Sequence, residues 1–425
     1  MKLISSTAIA LVAGLIAAPA AAQMGQYSAP PPQPPRVPQA QPQQPTTETK
    51  TTVTGDVKPS AKAVKALIDL QKAVEAKDAA NIPAKIAAAN AVASTKEDHY
   101  WIGKLELEAA LNANDTAALA TAIDTLAASG YLEPAKVSGL YRQLGAKQFN
   151  AKQYALAVGS FQRATALTPN DPEALELLAQ GQAASQQDAA AAATFQRALQ
   201  ARTAAGQKPA EDIYRRAVQA AYNAKTPAAV ELAREWLAAY PSPDAWQNSI
   251  AVYLSTAHPD SSLAFDLLRL KSAAAAMHGS GDYYNYASAA IEEANYGEAK
   301  AVISEGLSSG KINASDSMIQ QVQAALKGKA APTAAELATA EQTAKVPTAF
   351  LRVGDRYYGA GNYQKAADLY REGLAKGADA NLANLRLGEA LARAGDKAGA
   401  VAAFNKVGGS YADIAKFWLV YVQRA

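Results

Sequence analysis

Near its C-terminus the chain repeats itself at a fixed interval of 34 residues, and that period excludes most ways of folding it. Phe350-x2-Val353-Gly354-x2-Tyr357, followed by Ala366-x3-Tyr370, returns as Asn384-x2-Leu387-Gly388-x2-Leu391, followed by Ala400-x3-Phe404. A further copy begins on time at Trp418. At the helical advance per residue, Phe350, Val353, Gly354 and Tyr357 share one stripe about 100° wide. Gly354 and Ala366 put the smallest side chains where two helices must approach, and Tyr357 and Tyr370 fill the space beside them. Gly361-Asn362 and Gly395-Asp396 supply the turns, since glycine reaches φ > 0 and ends a helix without strain. One such hairpin cannot bury its own apolar stripe, so it must stack on a neighbour.

This skeleton resembles the tetratricopeptide repeat, a helix–turn–helix unit with the same period and the pattern W-x2-L-G-x2-Y…A-x3-F. The resemblance implies an all-α fold, a right-handed superhelical solenoid of antiparallel helix pairs with about six to eight hairpins. It also implies work of one class, the holding of a protein or peptide partner. It extends clearly over Tyr141–Arg202, where Tyr141-x2-Leu144-Gly145 and Ala157-x3-Phe161 return as Leu175-x2-Leu178-Ala179 and Ala191-x3-Phe195. Thr168-Pro169-Asn170-Asp171-Pro172 between the two copies cannot continue a helix. The match loosens over the hairpins Tyr214–Tyr240, Trp246–Lys271 and Tyr283–Leu307, and is weakest over 59–136 and 311–346.

Six segments follow: a signal peptide (1–22), a Pro/Gln/Thr-rich leader (23–57), degenerate hairpins (58–136), a repeat array (137–310), a helical connector (311–346), and a C-terminal repeat pair with a terminal helix (347–425). The connector reads either as one more repeat or as a hinge. In the first segment Lys2 precedes an apolar run from Leu3 to Ala18, and Pro19 breaks it before Ala20-Ala21-Ala22, with cleavage expected before Gln23. The run is shorter than the roughly 20 apolar residues of a spanning helix. No later stretch reaches that length, so the processed chain is expected to be exported to a bacterial periplasm without a transmembrane segment. The leader, with Pro30 to Pro45 set among Gln, lacks the apolar surface to fold alone and reads either as a spacer or as a ligand for a proline-recognising groove.

The chemistry of the 425-residue chain is bounded by its inventory. It has no Cys, three His and a net charge of +3, so disulfides, thiolate metal sites and a cysteine nucleophile are excluded, and nothing calls for nucleic acid. His99, His258 and His278 lie far apart without metal-ligand spacing, and no cofactor or metal is expected. Gly306-Leu307-Ser308-Ser309-Gly310 spells G-x-S-x-G, but a hydrolase needs that serine on a strand-to-helix turn. Here the run closes a helix, with Gly306 at the small packing position and Gly310 ending it. The expectation is a non-enzymatic scaffold in the cell envelope; an envelope hydrolase with an unrecognised site is the alternative.

In this family the groove is lined by a second face of each first helix, offset by one, two, five and eight residues from the leading core position. Carried over residue by residue, the resemblance implies Arg142, Gln143 and Phe149 behind Tyr141, and Arg215, Arg216, Gln219 and Tyr222 behind Tyr214. It implies Tyr284, Asn285 and Ile291 behind Tyr283; Arg352, Asp355 and Tyr358 behind Phe350; and Arg386 and Glu389 behind Asn384. Arginine and tyrosine recur on this face, and both are common at binding hot spots. A carboxylate clamp is disfavoured, because only Arg386 and Lys416 fit one. The last helix, Tyr411 to Arg424, carries Ile414, Phe417, Trp418, Leu419, Val420, Tyr421 and Val422. It either covers the preceding hairpin or supplies half of a self-association interface.

Overall fold

The computed structural model describes residues 57–257 and 261–424. The signal segment, the leader up to residue 56, and His258 lie outside the described residues. All secondary structure among the described residues is helical, and no helix there is long and apolar enough to cross a membrane. Two compact units divide the chain, one ending at Leu232 and one beginning at Ala233.

The N-terminal unit holds α1 (Val64–Glu75), α2 (Ile82–Val92), α3 (Lys96–Ala113), α4 (Thr116–Ala128), α5 (Pro134–Asn150), α6 (Tyr154–Leu167), α7 (Pro172–Ala184), α8 (Asp188–Ala204) and α9 (Glu211–Asn223). The division falls inside α10 (Ala228–Ala239). The C-terminal unit continues with α11 (Pro243–Ala257), α12 (Ser261–Ala273), α13 (Gly279–Glu292), α14 (Tyr296–Ser308), α15 (Ser317–Ala325) and α16 (Ala334–Thr343). It ends with α17 (Pro347–Gly359), α18 (Tyr363–Ala375), α19 (Ala380–Ala394), α20 (Lys397–Phe404), a 3-10 turn (Gly409–Tyr411) and α21 (Ala412–Val422).

Consecutive helices pair as antiparallel hairpins, and the recurring glycine explains how. A Cβ on Gly145 would lie 2.5 Å from the Phe161 ring, and one on Gly354 would lie 2.6 Å from the Tyr370 ring. Gly388 stands in the same relation to Phe404. Each glycine lets the aromatic of the second helix lie against the first helix's backbone, and Ala157, Ala366 and Ala400 are fully buried beside it. Gly361 and Gly395 adopt φ of 78° and 86°, as the turns after α17 and α19 require.

Local sequence sets the helix ends. Asp171 caps α7 by accepting from the Glu173 amide at 3.0 Å, with Pro172 in the first turn where its missing donor costs nothing. Thr95 and Asp98 form a capping box that starts α3 at Lys96. Asp98 also accepts from the Ser60 amide at 2.7 Å and the Ser60 hydroxyl at 2.8 Å, so it ties the start of the unit to α3. Trp101 Nε1 donates to the Val57 carbonyl at 2.9 Å.

The connector segment splits between two neighbours. Ile319 and Val322 of α15 enter the core of α13 and α14 with Tyr283 and Ile303, whereas Ala340 and Ala344 lie against the Phe350, Val353 and Leu369 core of the next hairpin. The terminal helix is used by its own unit: Ile414, Phe417, Trp418 and Val422 are buried. Trp418 stacks on Phe404 with ring centres 5.8 Å apart, and Phe417 meets Tyr253 of α11 edge-on at 6.0 Å. Leu419, Val420 and Tyr421 remain only half-buried.

Candidate functional site

The offset face behaves differently in the two units. On α9 it is open: Arg215 is exposed, Tyr222 is 41% exposed, and Arg216 and Gln219 are half-buried. Arg216 pairs with Asp212 at 3.0 Å and Gln219 donates to Asn223 at 2.7 Å, while Arg215 has no ion-pair partner among the described residues. On α5, Gln143 is exposed and Phe149 is buried. Arg142 reaches across to the start of α7, 2.5 Å from Glu173 and 3.4 Å from Asp171. Tyr141, at the head of that face, donates to Asp124, and its phenol is pushed up to about 12 by burial and by that carboxylate.

In the C-terminal unit the same offsets lead inward at Asp355 and Tyr358 of α17 and at Arg386 and Glu389 of α19, but not at every position. Arg352 is exposed, and Tyr284 and Asn285 are half-buried. Tyr358 and Arg386, expected on an open groove, are 6% and 4% exposed, which corrects that expectation for both. The face they share with Asp355 and Glu389 is covered by α12 of the same unit. One side chain of α12, the fully buried Arg269, brings the face together.

Arg269 donates through Nε and Nη2 to the two oxygens of Glu298 on α14, at 2.9 and 2.8 Å. Its Nη1 lies 3.2 Å from Asp355 on α17, 3.4 Å from Glu389 on α19 and 3.7 Å from Asp266 one turn earlier on α12. The guanidinium lies over the rings of Phe265 at 4.4 Å and Tyr358 at 4.2 Å, so its faces are covered as well as its edges. Arg386 completes the set, with Nη1 2.6 Å from Asp355 and Nε 3.3 Å from Asp266. Tyr286 donates to Glu298 and Tyr370 to Asp355, each at 2.7 Å. Asn295 donates to the Asp355 carbonyl at 2.9 Å and to Glu298.

The electrostatics follow from burial and from this pairing. Burial pushes the Tyr286, Tyr358 and Tyr370 phenols well above their ordinary value, and the adjacent Glu298, Glu389 and Asp355 add to it. Burial works against the charge on Arg269 and Arg386, but their carboxylate neighbours outweigh it and keep both cationic. Asp266 and Glu389 are pushed up by burial against the opposing pull of the arginines. Such a cluster holds helices in register more than it offers a ligand an opening.

Sequence reasoning reached Asp355, Tyr358, Arg386 and Glu389 through the offsets, but missed Asp266, Arg269 and Glu298. The available signal was Asp266-x2-Arg269, a charged pair inside the otherwise apolar Leu263–Leu270 run of α12. The G-x-S-x-G run ends α14: Gly306 lies against Tyr283 and Ile312, and Ser308 donates to the Glu305 carbonyl at 3.0 Å. His99 is half-buried on α3, and His278 precedes α13, its amide donating to Asp282. Among the described residues no group of three His, Asp or Glu is disposed to hold a metal ion.

No protein-family model and no curated protein matches the chain. Among solved structures, it is similar to the TPR domain of P58(IPK), at 14% identity over 86% of this chain and 98% of that one. The TM-score is 0.23, a likeness too loose to weigh beside the internal geometry.

Proposed function

We infer that the chain is a non-enzymatic scaffold that binds a protein or peptide partner through its helical hairpins. The observation that supports this most is the open face of α9, where Arg215 and Tyr222 stand in solvent on a helix whose other side is core. Arginine and tyrosine are the side chains that most often dominate binding energy. On α17 and α19 the Asp355, Tyr358, Arg386 and Glu389 part of the matching face is taken up by α12 of the same unit, so partner binding belongs to the N-terminal hairpins, with α9 carrying it and Gln143 of α5 as a further contact. Arg142 is engaged with α7 and acts as a strut. The reading also places the mature chain in a bacterial periplasm, on the strength of Lys2, the apolar run to Ala18 and Ala20-Ala21-Ala22.

The test is a paired substitution, Arg215→Ala with Arg216→Ala, assayed for capture of partners by the purified full chain from a periplasmic extract. The expected result is loss of a protein that wild type retains while the helical signal is unchanged. Equal capture by the folded variant contradicts the reading.

A further inference from the structure

The cluster around Arg269 holds more acid than base. Four carboxyl groups, Asp266, Glu298, Asp355 and Glu389, meet two guanidinium groups, and none of these residues is more than 5% exposed. Counting donors sharpens the imbalance. Nη1 of Arg269 carries two hydrogens, yet three carboxyl groups approach it, at 3.2, 3.4 and 3.7 Å. One oxygen of Asp266 (Oδ2) and one of Glu389 (Oε1) are buried with no hydrogen-bond partner. Two orphaned oxygens on acids that approach the same nitrogen cannot both be ionised cheaply, because leaving a buried carboxylate oxygen unpaired costs its full desolvation.

We propose that Glu389 carries a proton in the folded protein and donates it to Asp266 Oδ2, and that this shared proton is the latch holding α12 against α19. The assignment of donor and acceptor follows from the remaining contacts. Asp266 Oδ1 lies 3.3 Å from Arg386 and 3.7 Å from Arg269, two cations that favour its charge. Glu389 is in ion-pair contact with Arg269 alone, at 3.4 Å through Oε2, while Arg386 acts on it from beyond contact.

The groups facing Glu389 from the surrounding helices agree with this. From α12 come Asp266 and Arg269, and from α17 come Asp355 and Tyr358. Arg386, one turn earlier on α19, spends its donors on Asp355 and Asp266. Glu298 of α14 is taken by Arg269, Tyr286 and Asn295, and Tyr370 of α18 by Asp355. Arg393, a turn later on α19, faces Tyr358, Tyr363 and Tyr421. Burial first, then the Asp266 charge, pushes Glu389 well above the ordinary range.

The sign of the resulting pH dependence is fixed. A carboxyl whose folded value is raised stabilises the fold fully below its unfolded value and loses that contribution as pH rises through the folded one. The C-terminal unit is therefore tightest in mild acid and loosens in alkali, by up to about tenfold in its unfolding constant per pH unit for one proton.

The experiment is thermal unfolding of the full chain between about pH 5.5 and about pH 8.5. It follows Trp236, Trp246 and Trp418 in a Trp101→Phe background, so that emission reports the C-terminal unit. Wild type should show a midpoint that falls as pH rises. In Glu389→Gln the side-chain amide supplies the donor to Asp266 permanently and its carbonyl still accepts from Arg269. The midpoint should then lie above wild type at the alkaline end and lose its pH slope, whereas Glu372→Gln on the exposed side of α18 should keep it. If Glu389→Gln does not fold, Asp266→Asn reads the same proton from the acceptor's side and should also flatten the slope. An infrared band from a protonated buried carboxyl in wild type at about pH 7 gives a reading independent of any variant. Parallel wild-type and Glu389→Gln curves overturn the proposal. So does an alkaline loss that added sodium or calcium restores, since a cation would then occupy the latch.

Discussion

Arg269 and Glu298 face each other through two parallel hydrogen bonds, at 2.9 and 2.8 Å, from helices α12 and α14. This fork fixes the guanidinium so that its remaining nitrogen points at α17 and α19, and four helices of the C-terminal unit are joined through one side chain. Removing it leaves carboxylates buried without their cation. Arg269→Ala should therefore cost about 3–5 kcal/mol, read as a loss of stability in denaturant. The exposed Arg215→Ala should stay within about 0.5 kcal/mol. Equal costs at the two positions would show that the cluster does not hold the unit together.

The repeat register makes a packing prediction. Ala366 is fully buried on α18, and Gly354 leaves the Tyr370 ring no room to give, because its hydroxyl is tied to Asp355 at 2.7 Å. Ala366→Leu should overpack by about 1–3 kcal/mol, and Gly354→Ala should destabilise in the same range. Ala375→Leu, at the exposed end of α18, should be nearly neutral. Urea unfolding of the three variants decides it, and equal tolerance would place the register wrongly.

Asp98 makes the opposite pH prediction to Glu389. Burial alone would raise its carboxyl, but amides of Ser94, Ser60 and Thr95 and the Ser60 hydroxyl donate to it and hold it below its ordinary value. A depressed carboxyl stabilises above its unfolded value and loses that contribution as pH falls through the folded one. Asp98→Asn should thus cost about 1.5–3 kcal/mol at neutral pH and much less in acid, measured by the Trp101 emission midpoint.

Processing offers a separate test. If export follows the reading of residues 1–22, the mature protein begins at Gln23, and intact-mass measurement finds that terminus, with or without cyclisation. Membrane-bound material that keeps Met1 to Ala22 contradicts it.

The hairpins were legible because their information is local. The spacing of Gly354, Ala366 and Tyr370 encodes one close approach, and the same triplet recurs at Gly388, Ala400 and Phe404, so helix pairing follows from the pattern alone. The offset rule put Asp355, Tyr358, Arg386 and Glu389 on a groove-lining face, whereas in the structure they are buried together around Arg269. It could not say what lies on that face, because α12 is separated from α19 by more than a hundred residues and no periodicity links them. The same limit hid the contact of Phe417 with Tyr253, which makes the apolar α21 a cover for its own unit.

The central claim is that partners meet α9 while the corresponding C-terminal face is filled from within. A photocrosslinking side chain placed at Tyr222 and, separately, at the exposed Arg352 of α17 tests it in cells. The account predicts a covalent adduct with a second protein from position 222, diminished when Arg215 and Arg216 are both replaced by alanine, and none from position 352. Adducts from position 352 with none from 222 would contradict it.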